Sequence, residues 1–269
     1  MPDRSNVVYE YDGTFEGLLC CVFESFDKKE VPCGIRPMDE SQGTLYPVKS
    51  IETDLIKSDR VWASIPRKIC PQAADMARLG FLTCAKDKEL LILKFLRIGF
   101  RCGGRVISML TDDTVNALWK AVQFLKNESH YYVEFLRFTM SGGVLISVIE
   151  PKNQVLPMLA PHFCSRLKWE TFLIYDKTHG MALVYQNLKH AVIPIDDLAM
   201  PSPDENERRY RELWKLLYRT IAVEGRLNPK CRMTHMPKRY WAYMTEFEAD
   251  HLADPGLETA KGTPALPVP

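Results

Sequence analysis

Two groups of residues in this chain are of types that do chemistry. The first lies near the carboxyl end, where residues 228–241 read NPKCRMTHMPKRYW. Lys230, Arg232, His235, Lys238 and Arg239 alternate there with Met233, Met236, Tyr240 and Trp241. Cations interleaved with flat rings suit nucleic acid, because cations meet phosphates and rings stack on bases. Just upstream, Arg208, Arg211, Lys215 and Arg219 recur every three or four residues and gather on one face of a helix. Residues 208–241 hold ten Lys and Arg against two Asp and Glu, in a chain whose net charge is only +1. Such a block sustains a strong local potential in a protein that is neutral overall. The competing reading is a solvated helix face, with the Met, Tyr and Trp side chains turned into a core.

The second group is acid–base. His130 follows Glu128, Glu150 closes an apolar run before Pro151, His162 sits in LAPHF, and Asp12 stands just ahead of the first helix. Imidazole and carboxylate groups that converge in one cleft can pass a proton to a substrate. Each also has a structural explanation: a helix-end histidine, a surface charge, a buried histidine and a turn. Neither metal nor cofactor is expected. The eight cysteines contain no C-x-x-C pair, and there is no Gly-rich phosphate loop, dinucleotide glycine fingerprint, His-Glu-x-x-His or zinc-deaminase pattern.

The 269 residues are 46% hydrophobic and 26% charged, the balance of a globular protein. No apolar run approaches the roughly 18 residues of a membrane span, so no membrane partner is expected. Cysteines without a pairing rhythm suggest reduced thiols and a cytoplasmic protein.

The elements that must position these groups read as follows. Val7, Tyr9 and Tyr11 alternate as a strand, and Phe15, Leu18, Leu19, Val22, Phe23 and Phe26 form the stripe of a helix capped by Thr14. Residues 31–49 read as loop with a short strand near Thr44–Val48. Further helices are expected from Ser58-Asp59 to before Pro66, from Pro71 to about Cys84, over Asp87–Ile98 in the core, and after Thr111 or Asp112. Tyr131–Phe138 and Val144–Ile149 are strand-like around Ser141-Gly142-Gly143, and Thr171–Tyr175 and Met181–Tyr185 form a second hairpin turning at Gly180. Between them Pro157–Trp169 holds a short helix with Pro161 in its first turn, and Ala191–Ile195 reads as one more strand. After a linker over Pro194–Pro203, a helix runs to about Val223 with Tyr210, Leu213, Trp214, Leu217 and Ile221 as its apolar stripe.

The fold class is therefore α+β: a helical N-terminal part, a central antiparallel sheet of two hairpins and a C-terminal amphipathic basic helix. As domains, residues 1–247 are expected to form one α+β domain, with a helical part to 128, a sheet part over 129–200, and the helix and basic segment over 201–247. A Pro-rich tail over 248–269 is expected to be disordered.

Several stretches resemble a family of bacterial DNA-metabolism and repair proteins of unassigned activity. They are Tyr11–Leu19, Phe135–Phe138, Ile149–Pro151 with Val155–Pro157, Leu159–Phe163, Tyr218–Ala222 and Met236–Trp241. The resemblance spans about Val8 to Phe247. It implies a genetic neighbour, a radical-SAM DNA-modification or repair protein, and in other bacteria fusion to a uracil-DNA glycosylase-like domain. It implies no catalytic residues. Relatives often carry His where this chain has Tyr175, and the chain lacks the Gly-Glu-x-Pro-Gly and His-Pro-Ser signatures of those glycosylases. The expected function is a DNA-binding accessory protein working with the radical-SAM partner. The alternatives are an enzyme with a His/Glu acid–base site acting on a modified base or nucleotide, and a protein-interaction scaffold.

Overall fold

The structure is a computed structural model and describes residues 6–38, 43, 45–195, 198, 205–221 and 229–244. For residues 218, 219, 221, 229, 231 and 232 only the backbone is described. Most of the 194–203 linker and the tail from 248 lie outside the described residues. The chain divides into two compact units, one of residues 1–130 with 151–159, the other of 131–150 with 160–269.

The first unit is built on a three-stranded parallel sheet. β1 (Val8–Tyr11) is central, with β2 (Gly34–Pro37) and β3 (Val48–Ser50) on either side. Parallel neighbours need a crossover, and α1 (Phe15–Asp27) supplies it between β1 and β2. β2 falls within the stretch read as loop, because Gly-Ile-Arg-Pro carries no alternation. α2 (Leu55–Lys68) starts earlier than the sequence suggests, since Asp54 caps it by accepting from Ile56 N and Lys57 N at 2.9 and 3.2 Å. It also runs through Pro66 instead of ending before it; in the last turn a proline forfeits a single backbone bond.

α3 (Pro71–Phe81), α4 (Lys88–Cys102), a 3-10 turn (Gly103–Ser108) and α5 (Asp113–Phe135) follow. Asp112 caps α5 through Thr114 N and Val115 N. As expected, α4 is a core helix, burying Ile92, Leu93, Phe95 and Leu96.

In the second unit the order is β4-β5-β6-β7-β8, from β4 (Thr139–Ser141), β5 (Val144–Ile149), β6 (Phe172–Asp176), β7 (Met181–Gln186) and β8 (Lys189–Pro194). The two expected hairpins, β4–β5 and β6–β7, are present, and β7–β8 forms a third that turns at Asn187 and Leu188. Gly142 and Gly143 turn the first with φ of +56° and +79°, and Gly180 completes the second turn at +62°. The sheet is mixed, not antiparallel throughout. β5 and β6 pair in parallel because α6 (Leu156–Arg166) carries the chain back between them. Residues 131–135, read as strand, finish α5 instead. Tyr131 stacks on Phe135 one turn later at 5.9 Å, a helical spacing that overrides aromatic strand preference. In α6, Pro157 takes the first turn and Pro161 lies inside the helix. Phe138 packs edge-on against Phe163 and Phe172 at 5.5 and 5.9 Å, in the core that the sheet covers. The chain continues through α7 (Glu205–Ile221), α8 (Pro229–His235) and a 3-10 turn over Lys238–Tyr243. Among the described residues no helix is long and apolar enough to cross a membrane.

The join of β1 to α1 is tight. Asp12 Oδ1 accepts from Thr14 N and Thr14 Oγ1 at 2.9 and 2.7 Å, and Oδ2 accepts from Thr53 Oγ1 at 2.7 Å. Thr14 Oγ1 in turn accepts from Gly17 N at 3.0 Å, the N-cap of α1. A Cβ at Gly17 would stand 2.2 Å from Asp12 Oδ1 and 2.9 Å from Thr53 Oγ1. Overpacking costs about 1–3 kcal/mol, against the roughly 1 kcal/mol that alanine gains over glycine inside a helix. Gly17→Ala should therefore lower stability in urea unfolding; an unchanged or raised midpoint would show that Asp12 is free to move.

Candidate nucleic-acid interface

α7 is rich in the straight-chain residues that favour helix, and it carries Glu207 and Arg211 one turn apart. Glu207 Oε1 accepts from Arg211 Nε at 3.0 Å, and its Oε2 accepts from Met140 N at 3.3 Å. Arg211 Nη2 donates to Thr139 Oγ1 at 2.6 Å. The ion pair is largely buried and ties one edge of α7 to β4. Beside it Tyr210 is 71% exposed and Trp214 42% exposed. The guanidinium of Arg137, from the segment between α5 and β4, stands over the Trp214 ring at 6.0 Å.

With Arg166 at the end of α6, these residues line a groove of about 420 Å³. Its charged lining is Arg137, Arg166 and Arg211 against Glu207. Such a surface can hold phosphates on planar guanidinium forks and offer rings for bases to stack on.

This is not the surface expected from the sequence. Tyr240 and Trp241 are 4% and 8% exposed, so neither ring is open to a base. Tyr240 packs on Tyr131, Tyr132 and Phe135 with centroids 5.0–5.9 Å apart, and Trp241 Nε1 donates to Met236 O at 3.0 Å. Large rings bury well when the polar tip finds a partner. The interleaved cations cover them: Lys238 lies over Trp241 at 6.0 Å, and Arg239 lies over Tyr240 at 4.6 Å and donates to its hydroxyl. Of the other expected cations, Arg208 and Lys230 are exposed and Lys215 is half-buried. The side chains of Arg219 and Arg232 lie outside the described residues. Tyr210 and Trp214, read as part of the apolar stripe of this helix, are exposed, and Leu213, Leu216 and Leu217 on the same helix are also about half exposed or more.

The acid–base candidates are divided between the units, Asp12 and His130 in the first, Glu150 and His162 in the second. Neither carboxylate bonds a histidine. Asp12 organises the turn described above; burial opposes its charge, but the bonds from Thr14 and Thr53 prevail and hold it below the ordinary carboxylate range. His130 lies on an exposed face inside α5, not at a helix–strand junction. Its neighbour Glu128 is buried and accepts from Lys152 N, Asn153 N and Asn153 Nδ2 at 3.1, 2.8 and 2.6 Å, a structural clamp on the loop after Glu150. His162 meets Phe163 edge-on at 5.0 Å, and its Nε2 is shielded without a hydrogen bond among the described residues.

Glu150 accepts from Tyr243 Oη at 2.7 Å and pairs with Lys177 at 3.1 Å. One pair escaped the sequence reading, which took residues 176–179 as a turn. The buried Asp176 holds His179 Nδ1 at 2.6 Å, while its other oxygen accepts from Thr178 N and His179 N. Among the described residues no cluster of three or more His, Cys, Asp or Glu is arranged to hold a metal ion.

Fold and groove together define an α+β protein with a cationic, aromatic-lined groove on its carboxyl-terminal sheet unit. Residues 86–246 match the domain of unknown function DUF4130, and the chain belongs to that family. The match includes every residue lining the groove, and β1 through α3 precede it. No curated protein matches the chain.

The Tyr243 hydroxyl, and after it the Lys177 ammonium, hold Glu150 below the ordinary carboxylate range, while burial and then Glu150 push Tyr243 upward. A folded value below the unfolded one lends stability above the ordinary range, and that stability is lost as pH falls through the folded value. Carbon-detected titration of the carboxyls should place Glu150 below the usual ~4.3, and Tyr243→Phe should move it upward. An unmoved midpoint would remove Tyr243 as its partner.

Proposed function

We propose that this chain is an accessory protein of DNA metabolism or repair that binds nucleic acid through the Arg137–Arg166–Arg211 groove and works with a radical-SAM partner. The observation that carries the reading is the placement of three arginines and two exposed rings, Tyr210 and Trp214, on one groove of the DUF4130 segment. Guanidinium groups and exposed rings suit an unpaired strand, whose bases can leave their stack. The resemblance to DNA-metabolism proteins supplies the setting and the partner. A cytoplasmic site of action follows from that setting.

The test is fluorescence anisotropy with a labelled single-stranded oligonucleotide. Arg211 is held by Glu207, so the two arginine–phosphate contacts from Arg137 and Arg166 give a log–log salt slope near −1.4, from about −0.7 per contact. Loss of one stacking ring removes about 1–3 kcal/mol, so Trp214→Ala should weaken binding several-fold to a hundredfold. Arg137→Ala and Arg166→Ala should weaken it as well. Lys238→Ala should change it little, because that side chain lies over a buried ring. Salt-insensitive affinity, or equal affinity in Trp214→Ala, overturns the reading. A second reading, an enzyme acting on a modified nucleotide, draws on Asp176 orienting His179. Turnover of such a nucleotide that His179→Ala abolishes and Trp214→Ala spares would favour it.

A further inference from the structure

A second groove lies in the amino-terminal unit and takes no part in the reading above. It has a volume of about 470 Å³, and its apolar wall is Phe23 and Phe26 of α1 with Phe100 of α4. Phe26 and Phe100 meet edge to face at 5.3 Å, leaving Phe26 41% exposed. The charged wall is Arg60 and Lys68 of α2 with Asp27 of α1. Asp27 is already paired, with Lys28 at 2.9 Å. Arg60 stacks on the Phe23 ring at 5.8 Å, and neither Arg60 nor Lys68 makes an ion pair among the described residues.

The remaining charge is thus positive and lies along phenylalanine rings. The two cations stand eight positions apart, about 12 Å along the helix axis, so they bracket a ligand from its two ends. The volume lies in the range of small-molecule sites. It holds one ring system rather than the row of side chains that a docked helix would insert.

We propose that this groove binds a small aromatic anion of the nucleoside-monophosphate class, its base against Phe23, Phe26 and Phe100, its phosphate on Arg60, and Lys68 at the acceptor atoms of the base. The phosphate requires a cation without a partner and the base requires aromatic surface; the groove offers both within one lining. Asp27 raises no barrier, since Lys28 neutralises it.

The experiment is titration of the full-length protein with AMP, GMP, CMP and UMP, followed by amide NMR shifts and calorimetry. Saturable binding is expected for at least one, with shifts confined to α1, α2 and the end of α4. The matching nucleoside and inorganic phosphate, each lacking half of the contacts, should bind at least about tenfold more weakly. Arg60→Ala should cost a similar factor, and Trp214→Ala nothing. Both Arg60 and Lys68 are exposed, so their variants keep the fold, checked by circular dichroism. Absence of saturable binding by all four nucleotides overturns the proposal. So does unchanged affinity in the Arg60→Ala/Lys68→Ala double variant, or shifts centred on Trp214. An acidic helical peptide that occupies the groove and is not displaced by the nucleotides would make it a protein-docking surface, and would equally overturn it.

Discussion

Arg211 cannot leave Glu207 and Thr139 without releasing α7 from β4. Both members of the ion pair are largely out of water, and each oxygen of Glu207 is engaged, one by the guanidinium and one by a strand amide. Removing one partner of such a pair leaves a buried charge uncompensated, at a cost of about 3–5 kcal/mol. The attachment is polar where the sequence pattern suggested an apolar one. It fixes the angle at which Tyr210 and Trp214 are presented and keeps Arg137 over the indole. The groove is therefore organised before any ligand arrives, which lowers the ordering cost of binding.

The β1–α1 segment was the most legible. The stripe in Phe15–Phe26, the Thr14 cap and the β1 alternation lie in sequences where local preference and burial agree. Legibility failed where they conflict. Tyr131–Phe135 has the composition of a strand, yet its rings stack at helical spacing and receive Tyr240. The parallel pairing of β5 with β6 could not be read from either strand, because pairing direction is set by the path of α6 between them.

The pairing of cations with rings was legible, but not which rings reach the surface. Cations alternating with rings at Lys238–Trp241 have two physical solutions, rings outward on a base or rings inward beneath their own cations. The residues that decide between them, Tyr131, Tyr132 and Phe135, lie a hundred or so positions earlier. The converse holds for α7. A stripe of Tyr, Leu and Trp normally signals a core face, but here the helix is held by Glu207 and Arg211 at the margin of that stripe, so two of its rings stay in solvent. The acid–base candidates were legible as polar residues on ordered segments. Their partners, Thr14, Thr53, Asn153, Lys177 and Tyr243, make three carboxylates into structural clamps.

The groove makes a claim about which rings touch a base, and zero-length photocrosslinking reads that contact directly. A single-stranded oligonucleotide irradiated in complex with the full chain, followed by peptide mass spectrometry, should give adducts at Tyr210 and Trp214. It should give none at Tyr240 or Trp241, which are both buried, Tyr240 against α5. Adducts at Tyr240 and Trp241 with Trp214 unmodified would contradict the account.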